Sequence, residues 1–142
     1  MKPPDKPERY GYILRIAKDE WLRQVYQIKK YYPGFKRRWD EGTVILLAKK
    51  TEAGDSFIGY GIVERVMSLE ELPTDEKAYC EEHGWRCAIV FKELYRFDPP
   101  YPIKESILKD DPRRGRYLHG ARLPWDMVSS ILESAKDYMG NR

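Results

Sequence analysis

The residues best suited to chemistry fall in two short stretches. The first is Gly34-Phe35-Lys36-Arg37-Arg38-Trp39, where three consecutive cations are followed by an indole. Cations beside an aromatic ring can hold a phosphate while the ring stacks on a base. The same stretch also reads as a basic surface turn with Trp39 tucked into the core edge. The second is Arg113-Arg114-Gly115-Arg116-Tyr117-Leu118-His119-Gly120. Its three arginines offer planar donors to phosphate oxygens, its glycines permit close backbone approach, and Tyr117 is a ring that can stack. Its plainer reading is a charged loop leading into the last helix.

Trp21 and Trp125 fit core stripes, whereas Trp39 and Trp85 fall at element edges, where a ring can line a pocket or simply pack. Tyr60 sits between Gly59 and Gly61, so it can form the floor of such a pocket, and a flat group can approach the glycines. Cys80, His83 and Cys87 supply three potential metal ligands, but a fourth would have to be the distant His119, and the spacing matches no common zinc pattern. Two buried thiols are the plainest reading of the cysteines, with a disulfide as the alternative. No metal and no cofactor is expected.

Other chemistries lack their motifs. There is no phosphate-binding loop ending in Gly-Lys-Ser or Gly-Lys-Thr, and no Gly-x-Ser-x-Gly elbow. Gly59-Tyr60-Gly61 lacks the third glycine of a dinucleotide fingerprint. Two histidines without paired ligand spacing argue against a metallohydrolase.

Patterning predicts the elements that carry these residues. Met1–Arg9 is rich in proline and charge and reads as a flexible tail, not a secretory signal. Residues 10–142 read as a single domain. Tyr10–Ile16 reads as a strand and Lys18–Tyr31 as a helix, with Trp21, Leu22, Val25, Ile28 and Tyr32 on one side. Pro33-Gly34 stops it. Thr43–Ala48 is a β-branched and apolar run, the pattern of a central strand covered on both faces. Lys49–Asp55 reads as a hairpin loop and Ser56–Val66 as the returning strand. Ser68 and Glu71 form a capping-box pattern, and Thr74 can cap a helix to His83 that Gly84 ends. Trp85–Phe97 reads as a long strand, after which Pro99, Pro100 and Pro102 predict an extended loop. Ile103–Leu108 reads as a short strand or turn. Pro124 opens a last helix with Val128, Ile131, Leu132, Ala135 and Met139 as its apolar stripe, ended by Gly140. The fold class is α+β, with a sheet of five or six mixed or antiparallel strands and two main helices.

The 142 residues are 42% hydrophobic and 35% charged, enough for one core and a soluble surface. The longest apolar run, Val44–Ala48, is far short of a membrane span. A cytoplasmic protein with no membrane partner is the expectation. The net charge of +3 is mild, but its distribution is uneven. Lys29–Trp39 holds five basic residues and no acid, Lys109–Arg122 five against Asp110 and Asp111, and Glu64–Arg86 seven acids against three cations. If the basic stretches meet, they form a face suited to phosphates. The only amides are Gln24, Gln27 and Asn141, a scarcity shared with heat-adapted proteins.

Three stretches carry a resemblance to the PUA-like superfamily, the group of the PUA, ASCH, EVE and YTH domains. Pro33-Gly34-Phe35-Lys36-Arg37-Arg38 resembles the Gly-x-Lys-x-x-x-Arg signature after the first helix of ASCH domains, although the basic residues here end one position early. Asp40-Glu41-Gly42-Thr43-Val44-Ile45-Leu46-Leu47 resembles the glycine turn and strand of ASCH and EVE members, with Thr43 where the turn usually has Asp. Phe57-Ile58-Gly59-Tyr60-Gly61-Ile62-Val63 resembles the strand that follows. The resemblance spans about Tyr10 to Met139. It implies a pseudo-barrel whose cleft binds RNA or a modified base.

The expected function is therefore a module binding RNA or a modified nucleobase. Lys36, Arg37, Arg38, Arg113, Arg114 and Arg116 would hold phosphates, and Trp39, Tyr60 and Tyr117 would contact a base. About five neutralised phosphates would give a log–log salt slope near −3.5 on single strands. Some ASCH relatives resemble small amidohydrolases acting on modified nucleosides, which use a lysine, a carboxylate and a threonine. The resemblance then implies Lys36 as a general base, its ammonium disfavoured by burial and by Arg37 and Arg38, with Thr43 as the hydroxyl and Glu64 as the proton carrier. Only Lys36 falls on a motif position. A third reading is a protein-interaction domain that uses the acidic segment 64–82.

Overall fold

The computed structural model describes residues 9–113 and 115–140. The tail expected before Arg9 therefore lies, but for Arg9 itself, outside the described residues, as does Arg114. In chain order the elements are β1 (Tyr10–Arg15), α1 (Asp19–Ile28), β2 (Lys30–Tyr31), β3 (Val44–Thr51), β4 (Gly54–Ser68), α2 (Thr74–His83), β5 (Cys87–Pro102), β6 (Arg122–Pro124) and α3 (Trp125–Gly140). Short 3-10 turns cover Leu69–Glu71, Ile103–Glu105 and Gly115–Leu118. The strands form one six-stranded sheet in the order β2-β5-β4-β3-β1-β6. It is mixed: β1 runs parallel to β3 and antiparallel to β6, and β2 runs antiparallel to β5. β2 and β6 stand at its two edges, so the sheet is open and does not close into a barrel. The described residues form an α+β fold with three α-helices.

The chain groups into two compact units, each built from separated stretches. The first takes Met1–Ala17, Val44–Tyr60 and Tyr95–Arg142. Its core follows from the apolar run of β3, where Val44, Leu46 and Ala48 pack with Ile13, Phe57, Phe97, Leu123 and the α3 stripe Val128, Ile131 and Ala135. The stripe repeats at helical spacing, so α3 lays one face on the sheet. Each large aliphatic side chain buried this way contributes about 1.5–3 kcal/mol. β1 and α3 come so close at Gly11 that an added Cβ would lie 2.6 Å from Val128 Cγ2 and 3.0 Å from the Val44 carbonyl oxygen.

The second unit takes Lys18–Thr43 and Gly61–Leu94. Tyr32, Leu72, Cys80 and Ala88 form a buried cluster, with Met67, Leu69 and Trp85 packed against it. Trp85 is the centre of an aromatic assembly: it stacks on His83 at 4.5 Å and on Tyr32 at 5.4 Å and meets Trp21 edge-on at 5.8 Å. The Tyr32 hydroxyl donates to Glu76 at 2.8 Å, and Glu76 also pairs with Lys30 at 3.0 Å.

Several elements differ from the sequence reading, each for an identifiable reason. The first helix stops at Ile28, because Lys29 turns left-handed (φ 55°) and caps it through its N–H to the Val25 carbonyl. Lys30 and Tyr31 then join β5 beside Val90 and Ile89, and Ile28 remains 50% exposed. The hairpin loop shrinks to Glu52-Ala53, because Thr51 already returns a hydrogen bond to the Gly54 carbonyl at 2.9 Å. The prolines do not end β5, which continues to Pro102. β2 reaches only Ile89 and Val90, so the proline stretch is not asked to donate along β2. Pro124 closes β6, and α3 begins one residue later, where the Trp125 N–H donates to the Arg9 carbonyl. The capping box is present: the Glu71 carboxylate accepts from the Ser68 N–H and hydroxyl at 3.2 and 3.0 Å.

Candidate nucleic-acid interface

The stretch after α1 and β2 has no regular structure, so its shape depends on what its aromatic residues bury. Phe35 and Trp39 meet edge-on at 5.8 Å, and Trp39 is only 6% exposed. The Phe35 carbonyl accepts the Cys87 thiol at 3.4 Å, and the Pro33 carbonyl accepts the Arg86 N–H at 2.9 Å, which tie the stretch to the start of β5. With both rings turned inward, Lys36, Arg37 and Arg38 are left exposed. Arg37 lays its guanidinium over the Phe35 ring at 5.3 Å.

These residues surround a cavity of about 330 Å³ lined by Lys36, Arg37, Arg38, Trp39 and Asp40 on one side and Val66, Ser68, Glu71 and Cys87 on the other. All lie within the second unit. Three cations stand against two carboxylates, so the cavity carries a net positive charge. Hydrogen bonds from the Ser68 backbone and side chain hold the Glu71 carboxyl below the usual carboxylate range. Burial pushes the Cys87 thiol up, against the weaker opposing effects of the Arg37 backbone, Lys36 and Arg86, so it remains a neutral thiol at physiological pH. The cavity therefore offers cations, one indole edge and fixed polar groups, but no activated nucleophile.

The turn that follows is locked. The Thr43 hydroxyl and N–H both donate to the Asp40 carbonyl, at 2.8 and 3.1 Å. The Gly42 N–H donates to the Val63 carbonyl at 2.8 Å, and the Val63 N–H to the Thr43 carbonyl at 2.9 Å. Lys36 and Glu64 are both exposed, so the burial that the amidohydrolase reading asks of Lys36 is not there, and the Thr43 hydroxyl is spent on the turn.

The second basic stretch belongs to the first unit. Arg113 is held by Asp111 through two parallel hydrogen bonds of 2.9 and 2.8 Å, which raise its already high pKa. Arg116 is exposed, lies over the Tyr117 ring at 5.2 Å and donates to its hydroxyl at 3.3 Å. Tyr117 is 65% exposed and forms a surface platform with Arg116. His119 turns inward, where its Nδ1 accepts the Arg15 N–H at 3.0 Å. The structure thus brings Lys36, Arg37, Arg38 and Trp39 around one cavity and pairs Arg116 with Tyr117, while Arg113 lines a smaller cavity of about 180 Å³ beside Asp55 and Lys109.

Tyr60 also belongs to the first unit, stacked on Tyr95 at 4.7 Å. The open space expected at Gly61 is filled from within the chain: an added Cβ there would lie 2.6 Å from the Phe91 ring. Ser68, Glu71 and Cys87 escaped notice as lining residues because each has a stronger local signal, a capping box or a buried thiol. Cys80 and Cys87 are both buried free thiols. Among the described residues no group of three or more His, Cys, Asp or Glu side chains is placed to hold a metal ion. No described helix is long and apolar enough to cross a membrane. No family model, no curated protein and no solved structure matches the chain.

Proposed function

We propose that this chain binds single-stranded RNA or a modified nucleobase, as a module of PUA-like type. The observation that carries the reading is the cavity at Trp39, where three adjacent exposed cations rim a pocket with an indole in its wall. Phosphates compensate such a cation cluster, and a base stacks on the flat face that an aromatic supplies. Arg116 and Tyr117 add a second exposed contact of the same chemistry, a planar cation paired with a ring. The neutral Cys87 thiol, the committed Thr43 hydroxyl and the exposed Lys36 favour binding over amide hydrolysis.

The phosphate count is smaller than the sequence suggested. Arg113 is already compensated by Asp111, and Arg114 lies outside the described residues. Around the Trp39 cavity Lys36, Arg37 and Arg38 remain, which gives an expected log–log salt slope of about −2.1 on single-stranded RNA. The test is a fluorescence anisotropy titration of a single-stranded oligoribonucleotide at several salt concentrations. A slope close to that figure supports the reading. Affinity that does not change with salt contradicts it, and binding only to a protein partner through the acidic segment 64–82 would replace it.

A further inference from the structure

A larger cavity of about 440 Å³ lies wholly within the first unit. Its size falls within the roughly 300–1,000 Å³ typical of small-molecule pockets. Tyr60 on β4 stacks with Tyr95 on β5 at 4.7 Å and 20°, and meets Phe97 at 5.9 Å. Tyr95 and Phe97 are two apart on one strand, so they share a face. Tyr95 nevertheless stays 42% exposed, so the aromatic stack is not covered at that ring. From α3, Leu132, Lys136 and Met139 recur at helical spacing along the cavity wall, and Met139 is fixed by the Asp98 N–H on its sulfur at 3.2 Å. The charged side chains on the α3 wall are Lys136 and Glu133; Arg96 also borders the cavity, but it lies between Tyr95 and Phe97 and so on the other face of β5.

We propose that this cavity binds a planar aromatic ring carrying an anionic group, the ring extending the Tyr60–Tyr95 stack and the anion meeting Lys136. Stacked rings favour a further flat ring over an aliphatic chain, because offset stacking adds to simple area burial. The exposed Lys136 ammonium favours a phosphate or carboxylate on it. The proposal is independent of the RNA reading, since every lining residue lies outside the stretch 18–43 that holds Lys36 to Trp39. The ligand chemistry has two natural sources, a mononucleotide and an aromatic acid.

The test is an amide-shift NMR titration of the full chain with adenosine 5′-monophosphate and with indole-3-acetate, each beside its uncharged counterpart, adenosine and indole. Saturable shifts centred on residues 95–97 and 132–139 are expected, with the anionic member of at least one pair binding at least about fivefold more tightly than its neutral counterpart. The pair that shows the preference identifies the source. Lys136→Glu, at an exposed helix position, is expected to remove that preference, and Tyr95→Ser to weaken the anion and its neutral counterpart alike. Equal affinity for charged and neutral members of both pairs overturns the proposal. So do shifts confined to residues 36–40, or no saturable binding in a variant-free sample whose spectrum is that of a folded chain.

Discussion

Phe35 and Trp39 face each other edge-on at 5.8 Å across a stretch without helix or strand, and that contact sets the three intervening cations on the surface. Aromatic pairs of this kind contribute about 0.5–1.5 kcal/mol beyond their buried area. The shape of the cationic rim thus depends on two rings that are themselves largely hidden, and the same indole forms a wall of the cavity.

Replacing that indole should separate packing from recognition. Trp39→Phe retains an aromatic partner for Phe35 and should leave the thermal midpoint within a few degrees, while RNA affinity falls only about two- to fivefold, because the smaller ring keeps part of the stacking that an alanine would lose. Trp39→Ala should also cost about 3–5 kcal/mol of folding stability in urea titrations. Unchanged RNA affinity in Trp39→Phe would remove the ring from the interface.

Gly61 and Phe91 give a packing prediction. The ring occupies the space where a Cβ would sit, at 2.6 Å, so Gly61→Val should destabilise by about 1–3 kcal/mol or more. Combining it with Phe91→Ala should cost less than the sum of the two single changes, because the closest clash goes with the ring and only that with Leu94 Cδ2 at 2.9 Å is left. Additive losses in chemical denaturation would mean that the two positions do not touch.

His119 makes stability depend on pH. Burial, and then the Arg15 charge, push its pKa below the ordinary 6.5, and its neutral ring accepts the Arg15 N–H. A depressed folded pKa means that its contribution is fully present above 6.5 and is lost as pH falls through that value toward the folded one. The denaturant midpoint should therefore drop between about pH 7.5 and pH 5.5, and His119→Asn, which retains an acceptor, should flatten the drop. An equal drop in the variant would place the titration elsewhere.

Much of the scaffold was legible because its signals are local. The β-branched run at Val44, the Ser68–Glu71 capping box, Gly84 after α2 and the Val128–Ile131–Ala135 stripe each depend on neighbours a few residues away. The break at Lys29 was not, because a lysine in a left-handed conformation is imposed by the strand pairing of Lys30 and Tyr31. The persistence of β5 through three prolines depends on where β2 ends, which no window of sequence shows. Of the sites, the cluster at Lys36 could be read directly, since its residues are contiguous. That Arg113 is compensated by Asp111 only two residues earlier could have been anticipated, as both charges were in view. The sequence marks Tyr60 by its flanking glycines, yet Tyr95 and Lys136, which line the same cavity, come from a distant strand and helix, so that cavity has no sequence signature.

The most direct measurement is the salt dependence of single-stranded RNA binding by the native chain and by Lys36→Ala/Arg37→Ala/Arg38→Ala. All three side chains are exposed, so the variant should fold as the native chain does. If these cations hold phosphates, the log–log slope should flatten from about −2.1 to near zero as three contacts are lost. The same slope in both proteins would contradict the account, because the phosphates would then be held somewhere other than the rim of the Trp39 cavity.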